Sequence, residues 1–159
     1  MDKILDIDNV DLKIISLLND DAKTPYTEIA KKVFVSSGTV HVRMRKLEDM
    51  GIVKSATLNI DFSKLGYDIS AFLGIYLEKS SLYDTVIENL KQISEVINAY
   101  YTTGNYSIFA KIICKDTNHL RTVLDNIQKV EGIDRTETLI VLEESINRPI
   151  QFFDKTGKI

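Results

Sequence analysis

Ser-Ser-Gly-Thr-Val-His-Val-Arg-Met-Arg-Lys-Leu-Glu-Asp-Met, residues 36 to 50, reads as one helix. Ser36 stands where a serine hydroxyl can accept a hydrogen bond from an otherwise unpaired first-turn amide. Gly51 follows the last turn and closes it. Val40, Met44 and Leu47 recur at i, i+4 and i+7 and so share one stripe, while Gly38, His41, Val42, Arg45 and Lys46 fall on the other faces. One face packs; the rest of the surface is free to read a partner.

Working upstream, Phe34 and Val35 are all that separates this helix from a shorter one containing Ile29, Ala30 and Val33. A link of that length permits only a tight helix-turn-helix. The shorter helix starts at Thr24-Pro25, with Pro25 expected at the first helical position, where its missing N–H costs nothing. Before it, Asp8 and Asp11 have the spacing of a capping box, and Ile14, Ile15, Leu17 and Leu18 supply a buried stripe that ends at Asn19-Asp20-Asp21.

Downstream of Gly51, Ile52 to Ile60 is rich in β-branched residues and predicts a strand, the wing of a winged helix-turn-helix. Asp61 to Gly66 reads as a linker. The expected organisation is a DNA-binding domain over 1–60, a linker over 61–66 and a second domain over 67–159.

The second domain has the order βαββαβ. Strands are predicted at 70–78, 96–103, 106–114 and 136–142. One helix is introduced by a Ser81-x-x-Asp84 capping pattern and the other by Asp116 or Thr117. The two helices also lead into their following strands in a similar way, which suits a ferredoxin-like split βαβ. The fold class is therefore α+β, an N-terminal winged helix-turn-helix followed by a ferredoxin-like βαββαβ domain. Both helices of such a domain cover one face of its sheet. The other face is expected to meet the sheet of a second copy.

Bulk composition narrows the function. The chain has 159 residues, is 44% hydrophobic and has no apolar run long enough to cross a bilayer. Met-Asp-Lys-Ile-Leu-Asp at the N-terminus lacks a basic stretch followed by an apolar one, so no signal peptide and a cytoplasmic location are expected. The single cysteine, Cys114, has no partner for a disulfide or a zinc site, and its apolar surroundings favour a core residue over a reactive thiol. A formal net charge of -3 argues against nucleic acid when averaged over the chain. Lys31, Lys32, Arg43, Arg45, Lys46 and Lys54 nevertheless make a basic island in an otherwise acidic protein.

The combination resembles the Lrp/AsnC family of bacterial and archaeal feast/famine regulators over nearly the whole chain. The resemblance is carried by Ile7-Asp8-x-x-Asp11-x-x-Ile14-Ile15-x-x-Leu18, Glu28-Ile29-Ala30, Val40-x-x-Arg43-Met44-x-x-Leu47-Glu48-x-x-Gly51-Ile52 and Leu65-Gly66-Tyr67-Asp68. Gly38 to Arg43, Ala99 to Phe109 and Thr136 to Leu142 are similar to the AsnC branch in particular. The resemblance implies homodimers that assemble into tetramers or octamers on double-stranded DNA. It also implies an amino-acid effector bound between dimers, with asparagine the lead and leucine, methionine or lysine the ligands of related branches. Two departures stand out. Phe34 occupies a position commonly held by glycine, where a positive φ would cost about 1–2 kcal/mol, so a reshaped turn is the alternative. Ser107 replaces a common aspartate, as in the AsnC branch.

On this reading Ser37, Thr39 and His41 meet bases, Arg45, Lys46 and Lys31 or Lys32 neutralise phosphates, and Ser36 and Arg43 complete the DNA-binding set. Taken singly, each reads more simply as part of a solvated helix face, and Arg43, close to the packed stripe, is equally a structural hydrogen-bonder. The effector segment is Tyr100, Gly104, Asn105, Tyr106 and Ser107, with Thr136 and Thr138. Gly104 would expose backbone amides to an α-carboxylate, and the neutral hydroxyls and amide suit an amide side chain. The competing reading is a plain hairpin turn between strands that favour threonine. Neither a metal site nor an enzyme is expected, because His41 and His119 have no nucleophile or ligand partners in sight. The alternatives are an architectural DNA-compacting protein of low sequence preference and, behind it, an amino-acid-related enzyme, since ferredoxin-like domains also serve catalysis.

Overall fold

The computed structural model describes residues 6–153. The outermost residues of the two expected domains, 1–5 and 154–159, lie outside this range. The chain divides into two compact units, one holding residues up to Leu58 together with those from Ile146 onward, the other Asn59–Ser145.

The first unit is built from α1 (Asn9–Asp20), α2 (Tyr26–Val33) and α3 (Ser37–Asp49). Asp8 caps α1, accepting from the N–H groups of Val10 and Asp11, and Asp11 returns the bond to Asp8 N–H. This is the reciprocal box expected from the Asp8–Asp11 spacing. Ser36 caps α3 by accepting from Thr39 N–H at 3.0 Å. Ile14, Ile29, Val33, Val40, Met44 and Leu47 form the buried core between the three helices.

Three local expectations change. Pro25 is the N-cap of α2 rather than its first helical residue; its extended ψ of 141° places it just outside the helix, and Tyr26 begins the turn. The turn after α2 is not reshaped around Phe34, which adopts the left-handed conformation at φ 59° and ψ 44° and is almost fully exposed. The predicted strand at Ile52 to Ile60 is not formed. Residues 53–61 pair with no other segment of the described chain, and Leu58 is largely exposed. β-Branched composition favours an extended backbone, yet a strand also needs a ladder partner to take its N–H and C=O groups, and the described residues offer none here. Ile52 and Val53 instead pack on the helical core.

The segment expected as a linker contains a 3-10 turn, Phe62–Leu65, capped by Asp61 and closed by Gly66 at φ 82°. The second unit then runs β1 (Ile69–Leu77), α4 (Tyr83–Leu90), β2 (Val96–Tyr101), β3 (Ile108–Cys114), α5 (Thr117–Gln128) and β4 (Ile133–Ile140). The sheet order is β2-β3-β1-β4, with every neighbouring pair antiparallel. This is the split βαβ arrangement. The Ser81–Asp84 box does not form, because a 3-10 turn at Ser80–Leu82 precedes α4 and no side chain caps it. Asp116 caps α5.

Leu73, Ile75, Ile108, Ile112 and Cys114 face α4 and α5 and make a core with Val86, Leu90, Leu120, Val123 and Ile127. Burial pushes the Cys114 thiol pKa up, which suits an inert core residue. Alternate residues point the other way. Phe72 and Phe109 stack on that opposite face at 5.4 Å, beside Gly74, Tyr76 and Tyr106.

Candidate DNA interface and effector segment

At 100° per residue, Gly38, Val42 and Arg45 lie opposite the buried stripe of α3, and all three are exposed. The flanks of the helix are occupied. On one side Arg43 Nη1 donates to Asp8 Oδ2 and Asp11 Oδ1, each at 2.8 Å, and Lys46 Nζ lies 3.1 Å from Asp6 and 3.7 Å from Asp11. On another, the His41 ring meets Tyr26 of α2 edge-on at 4.6 Å. Lys32 pairs with Glu28 one turn back at 2.8 Å. Among the described residues, Lys31 and Arg45 are exposed and enter no ion pair.

A shallow groove of about 650 Å³ runs along the Arg43 side of α3, lined by Asp6, Asp8, Ser36, Gly38, Thr39, Val42, Arg43 and Lys46. Its carboxylates oppose a phosphate there, since Asp6 and Asp8 already hold the local cations. The Asp8 carboxyl sits below its ordinary pKa because Asp11 N–H, and then Arg43, bind its ionised form. Arg43 is correspondingly held above its ordinary value by Asp11 and Asp8. Ser36 and Thr39 engage each other, with Oγ and Oγ1 2.8 Å apart, while Ser37 is half-buried at the first turn.

The effector residues do not converge within one chain. Gly104 turns the β2–β3 connection at φ 105°, Thr102 Oγ1 donates to Tyr106 C=O at 2.8 Å, and Ser107 N–H donates to Ile75 C=O at 2.9 Å. Tyr106 swings onto the open face of the sheet over Gly74, where a Cβ would come within 2.4 Å of its ring. Its hydroxyl donates to Glu137 Oε2 at 2.6 Å, and Tyr76 Oη donates to Glu137 Oε1 at 3.2 Å. These two bonds, Tyr106 first, lower the Glu137 pKa, and Glu137 raises that of Tyr106. Arg135 stacks on Tyr76 with its guanidinium carbon 4.0 Å from the ring centre.

Tyr100 pairs with Phe109 in register and shares that open face. Thr136 and Thr138 pair with the core residues Ile75 and Leu73 and so share the helix-covered side, where Gln128 Nε2 reaches Thr136 at 3.3 Å. Tyr100 and Thr138 also stand on opposite edge strands, three strand spacings or about 14 Å apart. Asn105 is exposed at the tip of the turn.

The profile described as winged helix-turn-helix DNA-binding matches residues 7–54, and that of the Lrp/AsnC ligand binding domain matches residues 70–150. The chain belongs to the Lrp/AsnC family. This Lrp/AsnC regulator is 47% identical over 146 residues to the regulatory protein AsnC of Haemophilus influenzae, an alignment covering 91% of this chain and 97% of that protein. The solved structure of Escherichia coli AsnC superposes with a TM-score of 0.86 at 42% identity, covering 91% of this chain and 98% of that one. A Neisseria meningitidis transcriptional regulator solved with L-Met shares the fold at a TM-score of 0.84 and 21% identity, over 89% and 94% of the two chains. This Lrp/AsnC protein is thus a DNA-binding transcriptional regulator with a ligand-binding domain.

Sequence reasoning passed over Val42 and Glu137 as site residues of this Lrp/AsnC chain. Val42 was visible as an apolar residue on the polar side of a helix. Glu137 had no local signal, because its partners Tyr76 and Tyr106 are 61 and 31 positions away.

Proposed function

We propose that this chain is a sequence-specific regulator that sets α3 in the DNA major groove and whose assembly and DNA affinity respond to an amino acid bound between dimers. The observation that carries the DNA part is the outer face of α3. Arg45 there and Lys31 at the end of α2 keep their charges unspent, whereas Arg43, Lys46 and Lys32 are held by carboxylates of the same domain. Arg45 and Lys31 then neutralise phosphates, and Ser37, Thr39 and His41 meet base edges. Ser36 contributes as the cap, and Arg43 as the tie that orients α3.

The effector reading is supported by the placement of its residues on different faces and edges of one sheet. Tyr100, Gly104, Asn105, Tyr106 and Ser107 from one copy need a neighbouring copy to enclose a ligand with Thr136 and Thr138. That requirement fits dimers joined through their open sheet faces, which then gather into tetramers or octamers. Asparagine is the lead ligand, given the similarity to AsnC proteins, and the cytoplasm is the site of action for a protein that works on DNA. The test is thermal stabilisation by each of the twenty amino acids, read with light scattering. A ligand at about 100 times its Kd adds about 2.7 kcal/mol of apparent stability. Asparagine is expected to raise the melting temperature and change the oligomer distribution. A flat response across all twenty sinks the effector reading.

A further inference from the structure

Phe34 is the one non-glycine residue with a positive φ among the described residues, and the residue is 92% exposed. Glycine at this position would relieve both the conformation and the exposure. Neither folding nor core packing therefore explains a phenylalanine here, and a strained residue with no internal contact to justify it points to something outside the chain.

Its position identifies that partner. Phe34 lies two residues before Ser36, the cap of α3, so the two Cα atoms are no more than about 7 Å apart. This is the end of the reading helix that meets base edges in helix-turn-helix docking. Lys31 and Lys32 stand in the last turn of α2 just before it. On the outer face of α3 the next exposed groups are Gly38 and then Val42, which is 70% exposed. Phe34, Gly38 and Val42 thus give this end of the helix an apolar strip beside the polar Ser36, Ser37 and Thr39 and close to the unpaired Lys31, a mixed surface that suits the major groove. The apolar feature of a base edge in that groove is the thymine C5-methyl group.

We infer that Phe34 is a specificity-determining DNA contact that packs on a thymine methyl at the margin of the sequence read by α3. The inference rests on the proposed docking of α3. Burying one methyl-sized group is worth about fourfold in affinity, from about 0.8 kcal/mol per methylene at 1.4 kcal/mol per tenfold.

The test uses the full chain and the tightest duplex selected from random DNA, made once with thymine and once with uracil, which lacks only the methyl. Wild type, Phe34→Gly and Arg45→Ala are compared on both, with melting temperature and sedimentation measured on each protein. Phe34→Gly is expected to melt no lower than wild type and keep its oligomeric state. It should bind the thymine duplex about fourfold more weakly, and lose less than wild type on going to uracil. Full affinity of Phe34→Gly, or a loss on uracil equal to that of wild type, overturns the inference. Dissociation of the Phe34→Gly oligomer also overturns it, by making Phe34 a subunit contact. If Arg45→Ala weakens binding while Phe34→Gly does not, only the Phe34 contact fails; if Arg45→Ala binds as wild type, the docking of α3 itself fails.

Discussion

Arg43 on α3 reaches back 32 positions to place Nη1 2.8 Å from Oδ1 of Asp11, a carboxylate with no solvent exposure. The same nitrogen also holds Asp8, so one guanidinium ties the reading helix to the cap of α1. A buried charge keeps its place only when paired, and this pairing sets the orientation of α3.

Arg43→Ala is therefore expected to destabilise the protein by about 3 kcal/mol, toward the low end for a broken buried pair because Asp8 N–H and Lys46 still face Asp11. Chemical denaturation measures it. If Arg43 served chiefly as a phosphate contact, stability would hold and the salt slope of DNA binding would fall by about one instead.

The Asp8 carboxyl gives this tie a pH dependence. Its folded pKa lies below the ordinary 3.8 because Asp11 N–H and Arg43 stabilise the ionised form. The contribution is thus fully present above about pH 4 to 5 and fades as the pH falls through the lowered folded value. Asp8→Asn keeps a capping oxygen but loses the charge. With Asp8 half exposed, the difference at pH 7 should be no more than about 1 kcal/mol, and it should shrink in denaturation at pH 3.

Gly74 is the floor under Tyr106. An added Cβ would sit 2.4 Å from the ring, so Gly74→Ala must displace Tyr106 from Glu137. A loss of about 2 kcal/mol is expected, as for overpacking elsewhere. In a double-mutant cycle Tyr106→Ala should recover part of it; strictly additive losses would show that the two residues do not compete for that space.

Much of the DNA-binding unit was legible because its signals are local. Asp8 and Asp11 sit one turn apart, Ser36 precedes the helix it caps, and Val40, Met44 and Leu47 declare their face by spacing alone. The strand expected over Ile52 to Ile60 does not form, because its composition carries a preference for extended backbone and no information about a partner strand. The start of α4 was misread because Ser81 and Asp84 satisfy the capping pattern, while the Ser80–Leu82 turn moves the helix start beyond it. The effector residues were grouped by chemistry. Register then put Thr136 and Thr138 on the helix-covered side and Tyr100 on the open one, a non-local outcome that no spacing along the chain encodes.

Gly104, at φ 105°, offers a sharper probe of the effector segment. Gly104→Ala places a Cβ in a backbone region that side chains rarely adopt, though it meets no neighbouring atom within 4 Å. Stability should fall by about 1 kcal/mol. The melting shift produced by asparagine should fall further than that loss explains, as read by scanning fluorimetry with and without the amino acid.

The most direct measurement is the salt dependence of duplex binding by wild type, Lys31→Ala and Arg45→Ala, on a selected site and on random DNA. Removing either of these exposed cations should cost about one phosphate contact, lowering the log–log slope by about 0.9. Wild type should also prefer the selected site by about 10³-fold or more. Slopes identical to wild type in both variants, or equal affinity for selected and random duplexes, would contradict a sequence-reading α3.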